Sequence, residues 1–306
     1  MLKRPILIAG PTASGKSALA ARLAQSGGAV INADSMQVYD LLQVLTARPG
    51  SEELSLAPHH LFGHVSPAAA YSVARWLDDV KPVLDELAAR GARPVFAGGT
   101  GLYFKALLEG LSQVPPIEPE IRQSLRKAAQ TDLARLYGEL ERADPESRCR
   151  IKPGDSQRIV RALEVVRSTG KPLSWWQAQD GGRGLLAAKD CIKVVLEPDR
   201  TGLRARIAAR FSDMMKAGAI DEVRALLSLD LPGDMPAMRA IGVREIAACL
   251  EGTLSVEAAI DKAVTATAQY AKRQSTWFRN QFGRDWLRFG DAQAAPAEIS
   301  RLTETE

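Results

Sequence analysis

The segment Gly10-Pro11-Thr12-Ala13-Ser14-Gly15-Lys16-Ser17 fits the pattern G-x-x-x-x-G-K-[ST]. It stands between a short apolar run, Ile6-Leu7-Ile8-Ala9, and a helix-forming stretch. Strand, small-residue loop and helix in that order constrain the fold more than any other feature of the chain. The glycines let successive backbone N–H groups turn inward, and the helix that follows points its positive end at the same spot. Lys16 adds a point charge, and the Ser17 hydroxyl is a ligand of the kind Mg²⁺ takes. Such a loop cradles a diphosphate or a triphosphate, a grip shared with ATP-binding and other nucleotide-binding proteins. It also commits the chain to an α/β architecture.

Further apolar runs at 29–31, 95–97 and 192–196 are short, partly β-branched and bounded by turn residues, with helical spacing between the first two. Strands alternating with helices predict a parallel sheet flanked by helices, a P-loop NTPase-like core. Between the runs at 95–97 and 192–196 the pattern is helical at 118–129, 132–142, 155–169 and 173–179, opening at Pro115-Pro116 and closing near Asp180-Gly181-Gly182. The expected organisation is a discontinuous core of 1–114 and 183–290 and a helical insertion domain of 115–182. The Ala/Thr/Glu-rich stretch 291–306 is expected to be a flexible tail. At 306 residues, 46% hydrophobic, the chain is long enough for this core and insertion. No apolar run is long enough to cross a membrane, and Ile6 to Ala9 is too short for a signal-peptide core. Cys149, Cys191 and Cys249 lie far apart with no CxxC pairing, which supports neither a disulfide framework nor a zinc site. The expected location is the cytoplasm.

A nucleotide hydrolase needs an acidic residue at the end of a neighbouring strand. The run at 94–97 ends instead in Gly98-Gly99-Thr100-Gly101-Leu102-Tyr103. The acid stands on another strand, in Asn32-Ala33-Asp34-Ser35-Met36-Gln37, at the carboxyl edge where open α/β sheets bind ligands. An aspartate there commonly caps a turn; beside a phosphate loop it is also placed to take a proton from an acceptor. Net charge is only +4 but uneven. One basic cluster runs from Arg142 through Arg158 and Arg161 to Arg167. A second, Lys272, Arg273, Arg279, Arg284 and Arg288, is interleaved with Tyr270, Trp277, Phe278, Phe282 and Trp286. Cations with interleaved aromatics suit RNA, whose bases stack while its backbone is held.

Taken together the segments resemble the tRNA dimethylallyltransferase family. The likeness runs in order through GPTASGKS, NADSMQVY, TARP at 46–49, PHHLF at 58–62, YSVA at 71–74 and PVFAGGTGLY. It continues through Asp144-Pro145, DSQRIVRALEV at 155–165, TGKPLS at 169–174, RAIGVRE at 239–245 and QYAKRQSTWFR at 269–279. Nearly the whole chain is covered. The phosphate loop alone is not specific; its combination with GGTGLY, DSMQ and AKRQSTWFR is.

The resemblance implies a P-loop fold with a helical insertion that clasps an anticodon stem-loop. It implies transfer of a dimethylallyl group from dimethylallyl diphosphate to N6 of adenine 37 of tRNA, with diphosphate as leaving group and no phosphoryl transfer; separately, the protein is expected to be a monomer. Asp34 matches the family's general base, and Thr100 matches the threonine contacting the reacting region. Gly10, Thr12, Ala13, Ser14, Gly15, Lys16 and Ser17 then hold the diphosphate, with Mg²⁺ at Ser17 and Arg244 as the later arginine. Ser35 and Gln37, with Met36 between them, match positions that read the adenine. Gln157, Arg158, Ile159, Val160 and Arg161 match a tRNA-contacting segment, as do Arg239 and Arg244; Lys272 and Arg273 are the RNA candidates of the second cluster. The chain departs from the family at Val243, where a tyrosine is usual, and at residues 40–45, which replace a more polar, glycine-containing stretch. A small-molecule or nucleoside kinase, a prenyltransferase of free adenine nucleotides and a non-enzymatic RNA-binding protein are the rivals. His59, His60 and His64 lack the pattern of HExxH and are expected to be structural, and Trp175-Trp176 is expected to anchor packing.

Overall fold

A computed structural model describes residues 2–179 and 182–304. Asp180 and Gly181, where the insertion was expected to close, lie outside the described residues, as do the last two residues of the tail. The chain divides into two compact units, Met1–Leu108 with Leu185–Glu306, and Glu109–Gly184. The expected bounds of the insertion, 115 and 182, fall a few residues inside the second unit.

The first unit is built from β1 (Ile6–Ala9), α1 (Lys16–Ala24), β2 (Gly28–Asn32), α2 (Ser51–Leu56), β3 (His59–His60), α3 (Val73–Ala89), β4 (Arg93–Gly98) and α4 (Gly101–Glu109). The second carries α5 (Pro119–Thr131), α6 (Leu133–Ala143), α7 (Pro145–Arg150), α8 (Ser156–Thr169) and α9 (Leu173–Ala178). The first unit resumes with β5 (Ile192–Leu196), α10 (Arg200–Lys216), α11 (Ala219–Leu227), α12 (Val243–Leu250), α13 (Val256–Gln281), β6 (Leu287–Phe289) and α14 (Ala295–Glu304).

The strands form one six-stranded sheet in the order β3-β2-β4-β1-β5-β6, and every pairing is parallel. Its middle strands are buried on both faces, as a sheet covered by helices requires. Alternate residues serve alternate faces. Leu7, Ala9, Ile31, Phe96 and Val195 pack with Trp76, Val80 and Leu87 of α3 and Phe104 of α4, whereas Ile6, Ile8, Val30, Val95 and Val194 pack with Leu19 and Ala20 of α1. Ser72 caps α3 by accepting from Arg75 N, and Trp76 Nε1 donates to Asn32 O at 2.8 Å, fastening the helix to the end of β2.

Residues 291–304 do not form a loose tail. In α14, Ala295 and Ile299 are fully buried against the α1 face of the sheet, with Leu302 packed beside them, so a helix whose composition reads as polar docks through one apolar stripe. β3 and β6 are edge strands of two and three residues, too short for a periodic signal.

The second unit has its own core, in which Leu125, Leu136, Leu140, Ile159 and Leu163 are fully buried. Asp144 of the Asp144-Pro145 pair is buried at its centre. Its carboxylate accepts from Ser147 N at 3.0 Å, Ser174 Oγ at 2.6 Å and Ser174 N at 3.0 Å, capping α7 and tying α9 to it. Burial works to raise this carboxyl, but the four hydrogen-bonding contributions of Ser147 and Ser174 hold it below the usual range.

Candidate active site

β1 lies between β4 and β5, so the loop that leaves it emerges at the middle of the sheet's carboxyl edge. Gly15 sits at φ +87° and starts α1, while Ala13 holds φ +60°, a conformation costly for a residue with a Cβ. Neighbours fix it: Arg206 Nε of α10 donates to Ala13 O at 3.0 Å. Ser14 closes over Gly10, where an added Cβ would lie 2.7 Å from Ser14 Oγ. That hydroxyl is buried and has no hydrogen-bond partner among the described residues.

Two further elements are bolted to the loop. Gln274 of α13, 5% exposed, accepts from Thr12 N at 3.0 Å and donates to Gly99 O at 2.9 Å, linking the phosphate loop to the turn after β4. Gly99 is required there, because a Cβ would stand 2.1 Å from Gln274 Nε2. Arg210 of α10 donates to Thr12 Oγ1 at 2.6 Å. Lys16 is buried and donates to Pro11 O at 3.2 Å. Burial pushes its ammonium down to about 8, with Arg210 pressing the same way and the Asp34 carboxylate opposing. Burial likewise lowers Arg210, again opposed by Asp34.

Asp34 stands just beyond β2. Asn32 shapes the turn by accepting from Asp34 N at 2.8 Å, and Asp34 Oδ1 accepts from Met36 N at 3.0 Å. Thr100 Oγ1 accepts from Ser35 N at 2.9 Å, and its hydroxyl donates to Ser35 Oγ at 3.3 Å, so the turns after β2 and β4 brace each other. Thr12, Asp34, Arg210, Arg239, Tyr270 and Arg273 line one cavity of about 360 Å³. Burial, and next the Asp34 carboxylate, raise the Tyr270 phenol well above its ordinary value. A larger hollow of about 1030 Å³ borders the loop at Ala13, Ser14 and Gly15, with Arg206 and Arg210; Asp34 lines only the smaller cavity, and Lys16 lines neither.

Thr12 of the phosphate loop, the buried Arg210 and a strand-end carboxylate around one cavity, with Ala13 to Gly15 and Arg210 also bordering the hollow beside it, suit departure of a diphosphate with proton removal from an acceptor. The IPP transferase family model matches residues 37–281, and the isopentenyl transferase model matches 4–59. The chain belongs to the IPP transferase family. This IPP transferase is 54% identical to the tRNA dimethylallyltransferase of Chelativorans sp., over 94% of its own length and 98% of the relative's. It is likewise 54% identical to that of Methylobacterium nodulans over 96% and 98%. Among solved structures it resembles the full-length tRNA isopentenylpyrophosphate transferase of Bacillus halodurans, with TM-score 0.68, 31% identity and coverage of 99% and 95%. It also resembles a eukaryotic dimethylallyltransferase acting on tRNA, with TM-score 0.81, 27% identity and coverage of 97% and 77%. Membership makes the chain a prenyl-transferring enzyme with a P-loop NTPase-like fold, and a kinase, which moves a phosphoryl group, falls away.

The IPP transferase departs from its sequence-based site at several positions. Arg244 is exposed on α12 and does not line the Asp34 cavity; Arg210, Arg239 and Arg273 are the arginines that do. The signal for Arg210 was present in a helix following β5 with arginines at 200, 204, 206 and 210, but only tertiary packing selects 206 and 210. Ile159 and Val160 are core residues of the second unit, 0% and 7% exposed, so their side chains are not RNA contacts; Gln157, Arg158 and Arg161 on the same helix are exposed. Gln37 is buried and lies outside the cavity lining, both donors of its amide directed at Thr46 O and Ala47 O. Val243, in place of the family's tyrosine, is buried with Phe211 and Ile246. Phe278 is core, 1% exposed, and Trp277 packs its ring over Gly101. His59 and His60 form the edge strand β3, and among the described residues no group of three or more His, Cys, Asp or Glu is placed to hold a metal. Trp176 donates to Thr169 Oγ1 at 3.1 Å, whereas Trp175 is 41% exposed.

Proposed function

We propose that this enzyme transfers the dimethylallyl group of dimethylallyl diphosphate to N6 of adenine 37 in the anticodon loop of tRNA, acting as a monomer in the cytoplasm. One observation carries the reading: Asp34, Thr12 of the phosphate loop and Arg210 face a single cavity. Adenine N6 is a weak nucleophile because its lone pair is delocalised into the ring. A carboxylate that takes the N6 proton as the N6–C1 bond forms offsets that weakness, while the C1–O bond breaks and diphosphate leaves with the electron pair. The backbone amides of Ala13, Gly15, Lys16 and Ser17, with the side chains of Lys16 and Arg210, stabilise the charge that collects on the departing oxygens. The orphaned Ser14 hydroxyl and the low-lying Lys16 ammonium both fit an incoming anion.

Ser17, in the first turn of α1, offers a hard oxygen of the kind Mg²⁺ binds together with substrate phosphates. Ser17 and the diphosphate would hold the ion, and it would supply charge neutralisation on the leaving group. Thr100, by bracing Ser35, keeps the Asp34 turn in place. Extrusion of adenine 37 from a single-stranded loop is the inexpensive way to expose N6. Arg239, Arg273 and Lys272 of the first unit, with Arg244 reassigned from the diphosphate, hold RNA backbone. Gln157, Arg158 and Arg161 do so on α8.

The test is incubation with unmodified tRNA and labelled dimethylallyl diphosphate, followed by nucleoside mass analysis. Label in N6-dimethylallyladenosine at position 37 with release of diphosphate is expected. Absence of label from tRNA overturns the proposal, as does label confined to AMP when AMP is added, or passage of the terminal phosphate to an acceptor when ATP is added.

A further inference from the structure

Asp34, Thr12 and Arg210 account for the leaving group and the proton, but one wall of the cavity is apolar and fixed in an unusual way. Leu45, Ile207, Phe211 and Met214 contribute to it, each no more than 7% exposed. There is no slack behind this wall. A Cβ on Gly242, whose φ is +101°, would lie 2.6 Å from Leu45 Cδ1 and 3.3 Å from the Phe211 ring, so both side chains already rest on bare backbone. The segment carrying Leu45 is clamped from both sides. Glu222 of α11 accepts from Val44 N at 2.6 Å and Leu45 N at 2.9 Å with its two carboxylate oxygens, and Gln37 donates to the carbonyls of Thr46 and Ala47. Glu222 itself does not line the cavity.

We propose that the wall of Leu45, Phe211 and Met214 is a length gauge for the allylic tail, admitting five carbons and rejecting ten, and that Glu222 sets the gauge by fixing the Leu45 backbone. The inference rests on the transfer reaction proposed above. Prenyl diphosphates share the diphosphate and the reacting C1–O bond, so the phosphate loop and Asp34 meet the same groups in each. Selection has to occur at the far end of the tail. An apolar pocket discriminates only modestly against a shorter tail, whereas a packed wall that cannot recede rejects a longer one sterically. A twin N–H to carboxylate clamp is an economical way to keep a loop side chain from receding, since two charge-assisted hydrogen bonds hold adjacent residues at once.

The experiment compares kcat/KM for dimethylallyl and geranyl diphosphate on an unmodified anticodon stem-loop, together with the inhibition constant of geranyl diphosphate against dimethylallyl transfer. Wild type, Leu45→Ala and Glu222→Gln are measured. Leu45→Ala is expected to move the ratio toward geranyl by about tenfold or more, within the range one pocket group controls. Glu222→Gln, a positioning change, is expected to move the ratio the same way by a smaller factor; a merely structural role would slow both substrates together and leave the ratio alone. An unchanged ratio and inhibition constant in both variants overturns the gauge. A wild type that modifies no stem-loop with dimethylallyl diphosphate overturns instead the function on which the gauge rests.

Discussion

Asp34 divides its work between its two oxygens. Oδ1 accepts from Met36 N and holds the turn, while Oδ2 is the oxygen that a Cβ on Gly99 would approach to 3.3 Å. Asp34→Asn keeps an acceptor for Met36 and removes the proposed base. Single-turnover transfer is expected to slow by about 10²–10⁴ with little change in tRNA affinity, as loss of a general base does; an unaltered rate excludes the residue from proton transfer. Lys16 gives a pH prediction of definite sign. In the free protein burial sets its ammonium at about 8, and a bound diphosphate favours the charged form. Binding above pH 8 therefore takes up a proton, and affinity for the diphosphate declines as pH rises through that value. Calorimetry in buffers of unlike ionisation heat measures the uptake, which Lys16→Met is expected to abolish.

At the scale of elements, α13 is the beam on which the phosphate loop and the turn after β4 rest. Gln274→Leu leaves the Thr12 N–H and the Gly99 carbonyl without their partner, at a cost of about 1–3 kcal/mol for each buried group stranded; thermal unfolding is expected to fall, and the KM for the diphosphate to rise. The same element shows how far the sequence could be read. The phosphate loop declares itself because its chemistry is local, eight consecutive residues whose backbone performs the task. Gln274 is separated from Thr12 by 262 positions, and its role exists only once α13 packs beside the loop. α8 teaches the converse: Gln157 to Arg161 form one continuous stretch of motif, yet the helical repeat turns Ile159 and Val160 inward and Arg158 and Arg161 outward. Ile159→Ala is expected to destabilise the second unit by about 2–5 kcal/mol through a cavity, measurable by denaturant unfolding. Arg158→Ala is expected to leave its stability unchanged, its pair with Asp155 being exposed and 3.5 Å long.

At the scale of the whole molecule, RNA affinity is expected to follow the sum of cations on both units. Replacing Arg158 or Arg273 by Ala is expected to weaken tRNA binding and reduce the slope of log affinity against log salt by about one for each; titrations at several salt concentrations measure it. A change confined to the KM of the diphosphate would place the residue at the loop instead. The sheet order carries a consequence for synthesis. Its central strand is the first made, yet its neighbours are β4 and β5, the latter pairing Ile6 with Ile192 from far along the chain. A ribosome must therefore deliver most of the polypeptide, through α13, before the first strand has both flanks and the catalytic loops have their brace. A half-made chain therefore carries the motif without the strand and helix that frame it.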